Sequence, residues 1–184
     1  MINFTYDYKL FINKYLLIRF NIVKPSPIKF ISFNISYKNI IDNKKNLGVV
    51  LMGLKMMTSF SPKPTFAKNS IATFKIRKNM ALGSKVFLSS KDTFDFLYKF
   101  KTSILPTIND LKPLLKNNFD ENNNYNIGLN DITIYPEITY SFEYFDKLMG
   151  MNINFVFYSE KDINIKGINK ILVSGFELPI FNKY

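Results

Sequence analysis

Lysine and arginine, the side chains that bind phosphate, are concentrated in one stretch of this chain. Between Asn43 and Lys91 there are ten such cations and no acidic residue: Lys44, Lys45, Lys55, Lys63, Lys68, Lys75, Arg77, Lys78, Lys85 and Lys91. The formal net charge of the chain is +11, so the remaining residues are close to neutral. A positive field confined to one stretch is typical of a surface that binds a polyanion. A coding bias towards lysine would raise the lysine content, but it does not explain the missing acids.

Residues that could perform catalysis are scarce. The chain contains neither histidine nor cysteine, which excludes imidazole acid–base chemistry, thiolate nucleophiles and cysteine-ligated metals. Two close carboxylate pairs, Asp92 with Asp95 and Asp120 with Glu121, are better explained by helix capping and loop solvation than by catalysis. There is no glycine-rich phosphate loop and no metal-ligand motif. The sequence therefore predicts a binding protein that is not an enzyme and needs no cofactor or metal.

The length and composition predict one compact α+β domain over residues 1–184. The hydrophobic content of 47% is sufficient for a core, and no run of about 18 apolar residues is present to span a membrane. Within the domain we expect an N-terminal helix in residues 1–24, a basic hairpin region in residues 61–91 and a surface loop in residues 111–128.

The first half of the chain shows a sequence of helical and strand patterns. Apolar spacing predicts an amphipathic helix over Tyr6–Phe20, a strand over Ile28–Ile35 and a second helix that Asp42 caps. After a proline-rich connector at Ser61–Pro64, two strands are predicted over Ile71–Arg77 and Gly83–Leu88, joined by a loop that contains Asn79. Alternation in the first of these strands places Thr73, Lys75 and Arg77 on a cationic face, with Phe74 and Ile76 facing the core.

The second half mixes helices and strands. We expect a helix that Asp92 caps and Pro106 ends, a long asparagine-rich surface loop over Leu111–Asn126, a strand at Asp131–Tyr135 and a turn at Pro136. A short helix at Glu143–Leu148, a strand at Asn152–Tyr158 and a helix at Asp162–Val173 follow. This order predicts an antiparallel or mixed sheet with helices packed on one face and a protruding basic β-hairpin.

One string in the basic stretch resembles the signature of a known family. Residues Thr65–Arg77 read T-F-A-K-N-S-I-A-T-F-K-I-R, and Gly83, Lys85 and Val86 follow. This run is similar to the hairpin of the large-subunit ribosomal protein numbered five, the L-five family, which reads close to T-x-A-x-x-S-I-A-x-F-K-I-R and then G-x-K-V.

Further motifs of the same family occur in order. Phe119-Asp120 and Asn124–Gly128 are similar to the family's F-D-G-R-G-N-Y-x-x-G loop, and Tyr135–Ile138 resembles its F-P-E-I. The strand Ile31–Asn34 resembles I-T-L-N, and Gly150, Met151, Ile153, Gly175, Phe176 and Pro179 also fit. The likeness extends from Ile28 to Phe181.

The resemblance implies a protein of the ribosomal central protuberance with several partners. These are large-subunit rRNA, 5S rRNA where it is present, the peptidyl-site tRNA, neighbouring central-protuberance proteins and the small-subunit head protein numbered thirteen. It implies rRNA contacts by Asn34, Thr65, Lys68, Ser70, Thr73 and Lys85 and a tRNA-facing tip of Lys75, Arg77, Lys78, Asn79 and Met80. It also implies a loop towards the small subunit, formed by Phe119, Asp120, Tyr125 and Asn126. The two aromatic rings would equally serve to pin that loop to the body. A hydroxyl or amide that caps a turn is the competing interpretation for Asn34, Thr65, Ser70 and Thr73.

Two departures from the family pattern bear on the partners. Where the family usually reads T-L-R-G, this chain has Phe87-Leu88-Ser89-Ser90, so a threonine and an arginine placed for 5S rRNA are replaced. The loop's G-R-G is Glu121-Asn122-Asn123, which replaces a cation with an anion. Both changes suit a divergent ribosome.

Composition points to the compartment. The residues with AT-rich codons are abundant, arginine is limited to Arg19 and Arg77, and Met1–Phe20 lacks the arginine-rich character of a transit peptide. We therefore expect synthesis inside an organelle and residence in the mitochondrial matrix, with a plastid or an AT-rich bacterium as alternatives. A free RNA chaperone or translation factor is the alternative function.

Overall fold

The structure is a computed structural model that describes residues 14, 18, 28–36, 45–108, 118–145, 150–157, 165–176 and 178. Its strands are β1 (Ile28–Ser36), β2 (Lys63–Phe66), β3 (Ala81–Ser89), β4 (Tyr125–Leu129) and β5 (Met151–Phe157). Its α-helices are α1 (Lys45–Thr58), α2 (Ser90–Lys99), α3 (Pro136–Thr139), α4 (Phe142–Phe145) and α5 (Ile165–Gly175). A π-helical segment, Phe100–Ile104, and a 3₁₀ turn, Leu105–Thr107, continue α2.

The strands form one antiparallel sheet in the order β2-β3-β1-β5-β4, so the α+β prediction is confirmed. Alternation along the strands gives this sheet two unlike faces. In β1 the side chains of Ile31, Phe33 and Ile35 are buried, and those between them are partly exposed. We call the second face the open face of the sheet. It is the face on which the partly or fully exposed residues of β1 and β3 lie.

Contacts between Cα atoms divide the chain into two units. The first unit consists of residues 1–31, 89–127 and 154–184, and its described core combines aliphatic and aromatic side chains. The ring of Tyr125 lies 5.2 Å from that of Phe119 and 5.8 Å from that of Phe155, measured between centroids. A second aromatic contact joins Phe94 of α2 to Phe176, at 6.1 Å.

The second unit consists of residues 32–88 and 128–153. Helix α1 packs there against α3, α4 and β2. Its buried residues Val50, Leu54 and Met57 lie on one side of the helix, as the 3.6-residue period requires. The predicted second helix and the strands at Ile28–Ile35, Gly83–Leu88 and Asn152–Tyr158 are therefore confirmed where they are described. So are the parts of the helices predicted at Glu143–Leu148 and Asp162–Val173 that fall in α4 and α5.

The predicted strand Ile71–Arg77 is wrong. Only Ile71 and Ile76 pair with each other, and between them lies a 3₁₀ turn, Ala72–Phe74, that ends at Lys75 with φ 56°. The partner of β3 is instead β2, which begins inside the proline-rich segment predicted as a connector. Proline is tolerated in β2 because this strand lies at the edge of the sheet. The predicted core face is absent as well, since Phe74 is 62% exposed.

Two further predictions need correction. Residues Asp131–Tyr135 form turns instead of a strand, and the Asp131 carboxylate accepts a hydrogen bond from the Thr133 N–H at 2.8 Å. Helix α2 begins at Ser90, so Asp92 lies in its first turn and is not the cap. There Asp92 accepts a hydrogen bond from the Ser89 hydroxyl at 2.7 Å.

Some predictions lie outside the described residues. The helix predicted over Tyr6–Phe20 is described only at Lys14 and Ile18, which are both helical. The cap at Asp42 and residues 111–117 of the predicted surface loop also lie outside.

We predict opposite effects of alanine at two glycines of the second unit. A Cβ on Gly83 would lie 2.2 Å from the Ile35 carbonyl oxygen and 3.0 Å from the Ser36 Cα, and these backbone atoms cannot move aside cheaply. Gly83→Ala should therefore destabilise the protein by about 1–3 kcal/mol. Gly48 of α1 has no atom within 4 Å of such a Cβ, and Gly48→Ala should stabilise by about 0.5–1 kcal/mol. Urea denaturation of both variants measures this, and equal effects would contradict it.

We also predict a loss of stability at alkaline pH through Tyr125. Burial raises the pKa of Tyr125 to about 12, partly offset by a hydrogen bond with Asn118, whereas an unfolded tyrosine has a pKa of about 10. The contribution of the protonated Tyr125 to the free energy of unfolding is complete below pH 10. It declines as the pH rises towards 12, by up to about 1.4 kcal/mol per pH unit. Denaturant unfolding between pH 9 and about 11.5 should show a shallower decline for Tyr125→Phe than for the wild type. Parallel curves would contradict the assignment.

Candidate RNA-binding surface

Strands β2 and β3 form the hairpin that carries most of the exposed cations described in the second unit. They pair antiparallel, with Lys63 opposite Lys85 and Thr65 opposite Gly83, and the register shifts between Thr65 and Phe66. Directly opposed residues point to the same side of a sheet, so Lys63 and Lys85 are neighbours. Both side chains are exposed. Like charges in this position repel, and a bound anion would relieve the repulsion.

Strand β3 separates its core side chains from its exposed side chains by simple alternation. Ser84, Val86 and Leu88 are buried, whereas Lys85 and Phe87 are exposed on the open face. The Lys85 ammonium lies over the Phe87 ring, 5.3 Å from its centroid, which is cation–π geometry. The open face of this hairpin therefore offers a cation and an aromatic ring side by side.

Strand β1 adds polar groups to the same face. Asn34 and Ser32 are partly exposed and alternate with the buried residues of β1, which neighbours β3 in the sheet. The absence of a side chain at Gly83 allows β3 to approach the backbone of β1 at Ile35 and Ser36. In the second unit the open face thus includes Ser32, Asn34, Lys63, Thr65, Lys85 and Phe87.

Residues 67–80 connect β2 to β3, and we call them the tip loop. Backbone hydrogen bonds close its base: the Ala67 N–H donates to the Met80 carbonyl at 2.9 Å, and the Asn79 N–H donates to the Ala67 carbonyl at 3.0 Å. Further out, Ile71 and Ile76 exchange two backbone hydrogen bonds of 2.9 and 3.1 Å. The loop is therefore cross-linked by hydrogen bonds at both its base and its tip.

Local conformation and one side chain add to this order. The Ser70 hydroxyl oxygen accepts the Lys78 N–H at 2.9 Å, which bridges the two sides of the tip loop. Lys75 and Asn79 adopt positive φ values of 56° and 65°, where asparagine is more easily tolerated than most residues. Because the backbone is so constrained, the cations of the tip loop project from a defined framework.

The structure brings the predicted rRNA and tRNA residues together on this one hairpin and its neighbour β1. Asn34, Thr65 and Lys85 lie on the open face, and the others lie in the tip loop: Lys68, Ser70, Thr73, Lys75, Arg77, Lys78, Asn79 and Met80. All of the loop members except Met80 are exposed. For Ser70 the structure shows a turn-bridging hydroxyl, which is the competing interpretation raised by the sequence, although its O–H proton is still able to donate to a ligand.

The four residues predicted to face the small subunit lie in the first unit. Asp120 is used within its own loop, where its carboxylate accepts the Asn124 N–H at 2.7 Å and the Asn124 side-chain amide at 3.0 Å. Tyr125 is 1% exposed, and Phe119 packs against it, so both rings pin the loop to the body. The Asn126 N–H donates to the Asn118 carbonyl at 2.8 Å.

The exposed members of that loop are Glu121 and Asn122, at a turn that Asn123 completes with φ 59°. The Asn169 side-chain amide of α5 donates to the Asn123 carbonyl at 2.9 Å, which anchors the turn to the first unit. The loop therefore presents an anionic tip on an ordered base.

Sequence reasoning missed the exposed apolar residues of the hairpin. Phe66, Ile71, Phe74 and Phe87 are 58, 44, 62 and 49% exposed. For Phe87 the signal was available, because it alternates with Val86 and Leu88 and shares its face with Lys85. For Ile71 and Phe74 no sequence signal was available, since alternation there indicated a strand.

The described part of the chain shows neither a metal-binding cluster nor a membrane-spanning helix. No group of three or more acidic residues there could hold a metal ion. No helix among these residues has the length and apolar character needed to cross a bilayer.

Comparison with known proteins agrees with the motifs. Residues 81–180 match the model of the C-terminus of the ribosomal L-five family. The chain is 35% identical over 156 residues to the large ribosomal subunit protein uL5 of Thermoanaerobacter sp. (strain X514), covering 85% of this chain and 86% of that protein. It is 34% identical over 143 residues to the protein of the same name from Ruminiclostridium cellulolyticum, covering 78% of each. The corresponding protein of Clostridium perfringens (strain SM101 / Type A) is also 34% identical, over 156 residues, covering 85% of this chain and 86% of that protein. The chain therefore belongs to the ribosomal L-five family.

Proposed function

We propose that this chain is a structural, RNA-binding constituent of the large ribosomal subunit and has no catalytic activity of its own. The observation that carries the proposal is the hairpin of β2 and β3, whose exposed cations stand on an internally hydrogen-bonded framework in a stretch without acidic residues. Such a surface pairs with phosphates and reads shape instead of base sequence, as ribosomal RNA binding requires.

The two parts of the surface suit different RNA partners. We assign large-subunit rRNA, with 5S rRNA where the ribosome has it, to the open face and the adjoining part of the tip loop, through Asn34, Thr65, Lys68, Ser70, Thr73 and Lys85. We assign the peptidyl-site tRNA to the tip, through Lys75, Arg77, Lys78, Asn79 and Met80. The exposed cations at the tip and the backbone constraints on Lys75 and Asn79 support the second assignment.

The loop of the first unit suits a protein partner in the small-subunit head, the protein numbered thirteen. Because Asp120, Phe119 and Tyr125 hold the loop together, Glu121 and Asn122 would make the contact, with Asn126 in its base. Neighbouring proteins of the central protuberance complete the set of partners in this proposal.

We place the protein in a mitochondrial ribosome, as an organelle-encoded subunit. The support comes from the sequence: lysine heavily outnumbers arginine, and the two departures at Phe87–Ser90 and Glu121–Asn123 suit a ribosome whose RNA has diverged.

Washing the ribosomes of purified mitochondria with high salt tests both the ribosomal role and the mitochondrial location. A ribosomal constituent stays with the large subunit, whereas an RNA chaperone or translation factor is removed. If the protein is retained in plastid or bacterial ribosomes instead, only the assignment to mitochondria is wrong.

Charge removal at the tip should weaken RNA binding in a salt-dependent way. Each phosphate contact contributes about −0.7 to −0.9 to the slope of log affinity against log salt. In the variant Lys75→Gln/Arg77→Gln/Lys78→Gln the slope for an RNA hairpin should therefore become shallower by about 2. Fluorescence anisotropy at several salt concentrations measures the slope.

The matched control is Lys55→Gln. Lys55 is an exposed lysine of the same acid-free stretch, but it lies on α1 instead of the tip loop. Its loss should leave the slope unchanged. An equal effect per charge at both places would show that net charge alone, and not the tip loop, binds RNA.

A further inference from the structure

Lys63 and Lys85 are two exposed lysines that the pairing of β2 with β3 brings together. They are directly opposed in the register, so their side chains leave the sheet on the same side, the open face. The Cβ atoms of such residues lie about 4.5–5.5 Å apart, and the flexible four-carbon stem of lysine lets both ammonium groups reach one common anion. The pair was not predicted, because Lys63 lies in the segment predicted to be a connector.

The two charges are not compensated by an acid. The stretch from Asn43 to Lys91 contains no aspartate or glutamate, and within the described residues neither lysine forms an ion pair. Like charges in directly opposed positions destabilise a sheet. Strand β2 has only four residues and lies at the edge of the sheet, so few backbone hydrogen bonds offset this repulsion.

One of the two ammonium groups is held in place. The Lys85 ammonium lies 5.3 Å from the centroid of the Phe87 ring, which is a cation–π contact within one strand. This contact restricts the rotamers of Lys85 without neutralising its charge. An anion that binds there meets a partly ordered cation, so less conformational entropy is lost on binding.

The rest of the hairpin indicates which kind of anion suits the pair. Beyond the open face, the tip loop holds four further cations and no acid. A nucleic acid strand carries one anionic phosphate on every nucleotide, so it can meet such a series of cations in succession. The hydroxyl of Thr65 and the amide of Asn34, on the same face, are groups that contact phosphate and ribose oxygens. These neighbours favour an RNA backbone over the isolated carboxylates of a protein surface.

We propose that Lys63 and Lys85 act as a single site that binds one phosphate of the RNA backbone between their ammonium groups. The proposal rests on the RNA-binding function proposed above and deepens it, because it adds Lys63 to the binding residues and states how many phosphates the pair neutralises. The bound phosphate offsets the repulsion between the lysines. The pair therefore destabilises the free hairpin and stabilises its complex with RNA.

The number of phosphates is read from the salt dependence of binding. Affinity of the full chain for an RNA hairpin is measured by fluorescence anisotropy at several salt concentrations. Lys63→Gln keeps the length of the side chain but removes its charge, and it should weaken binding at low salt by about three- to tenfold. In Lys63→Gln/Lys85→Gln the slope of log affinity against log salt should become shallower by about 0.7–0.9, the value for one phosphate. A change of about twice that size would show two separate phosphate contacts and overturn the single site.

The stability of the free protein gives a second readout with the opposite sign. Lys63→Gln removes the repulsion, so it should raise the midpoint of urea unfolding in about 10 mM salt, and the difference should disappear in about 1 M salt. Lys63→Glu places an acid opposite Lys85, so it should raise the midpoint further while weakening RNA binding more strongly.

Lys55→Gln is the matched control, because it changes the net charge by the same amount. Lys55 is exposed in the last turn of α1, where a cation is favourable. Its replacement should neither raise the midpoint nor change the RNA affinity. An equal rise of the midpoint in both variants would show that net charge, and not the opposed pair, causes the repulsion. Circular dichroism establishes that each variant is folded.

The outcomes separate this inference from the proposed function. If the wild type binds RNA with a steep salt dependence and Lys63→Gln binds equally well, the joint site is wrong and the proposed function stands. If the wild type binds no RNA, both fail. If Lys63→Gln leaves RNA binding intact but lowers retention on the large subunit, an acidic protein surface meets the pair and the phosphate site is overturned.

Discussion

The close approach of β3 to β1 at Gly83 is the constraint on which the candidate RNA-binding surface depends. A side chain at this position would meet the Ile35 carbonyl oxygen, so the two strands can only pair here because none is present. The pairing fixes the register of β3, and the register decides which of its residues are buried. A shift by one residue would turn Lys85 and Phe87 inward and Val86 and Leu88 outward. Gly83 lies on the same face as Lys85 and Phe87, and it fixes the register of that face without adding a side chain to it.

The cationic hairpin is held together against its own repulsion. Lys63 and Lys85 lie opposite each other, and Lys75, Arg77 and Lys78 crowd the tip loop with no acid in the same stretch. Backbone hydrogen bonds at the base and tip, together with the Ser70 hydroxyl between them, hold the loop in place although its cationic side chains repel one another. A loop already ordered loses less conformational entropy when it binds, so more of the phosphate attraction is realised as affinity.

Much of this architecture could be predicted from the sequence, and the failures have physical causes. In strands β1, β3 and β5 apolar residues alternate with exposed ones, so the two-residue period of the sequence predicted both the strand and its buried face. The segment Ile71–Arg77 has the same alternation, but its backbone turns at Lys75, and nothing in the side-chain pattern reports that turn. The cations of the candidate RNA-binding surface could be identified from the sequence. The bridging role of Ser70 and the internal use of Asp120 were not, because both depend on atoms brought together by folding.

The two departures from the family pattern have different consequences for binding. Glu121 places an exposed anion on the loop of the first unit, where it repels phosphate within a Debye length of about 8–10 Å and favours a cationic protein surface. The departure at β3 replaces the family's threonine with Phe87 and its arginine with Ser89, so this strand has one cation fewer than the family pattern. The first change therefore reverses the sign of the charge at that loop relative to the family pattern. The second lowers the positive charge beside Lys85 but leaves the lysines of the hairpin in place, so the attraction of this surface for a polyanion is weakened and not abolished.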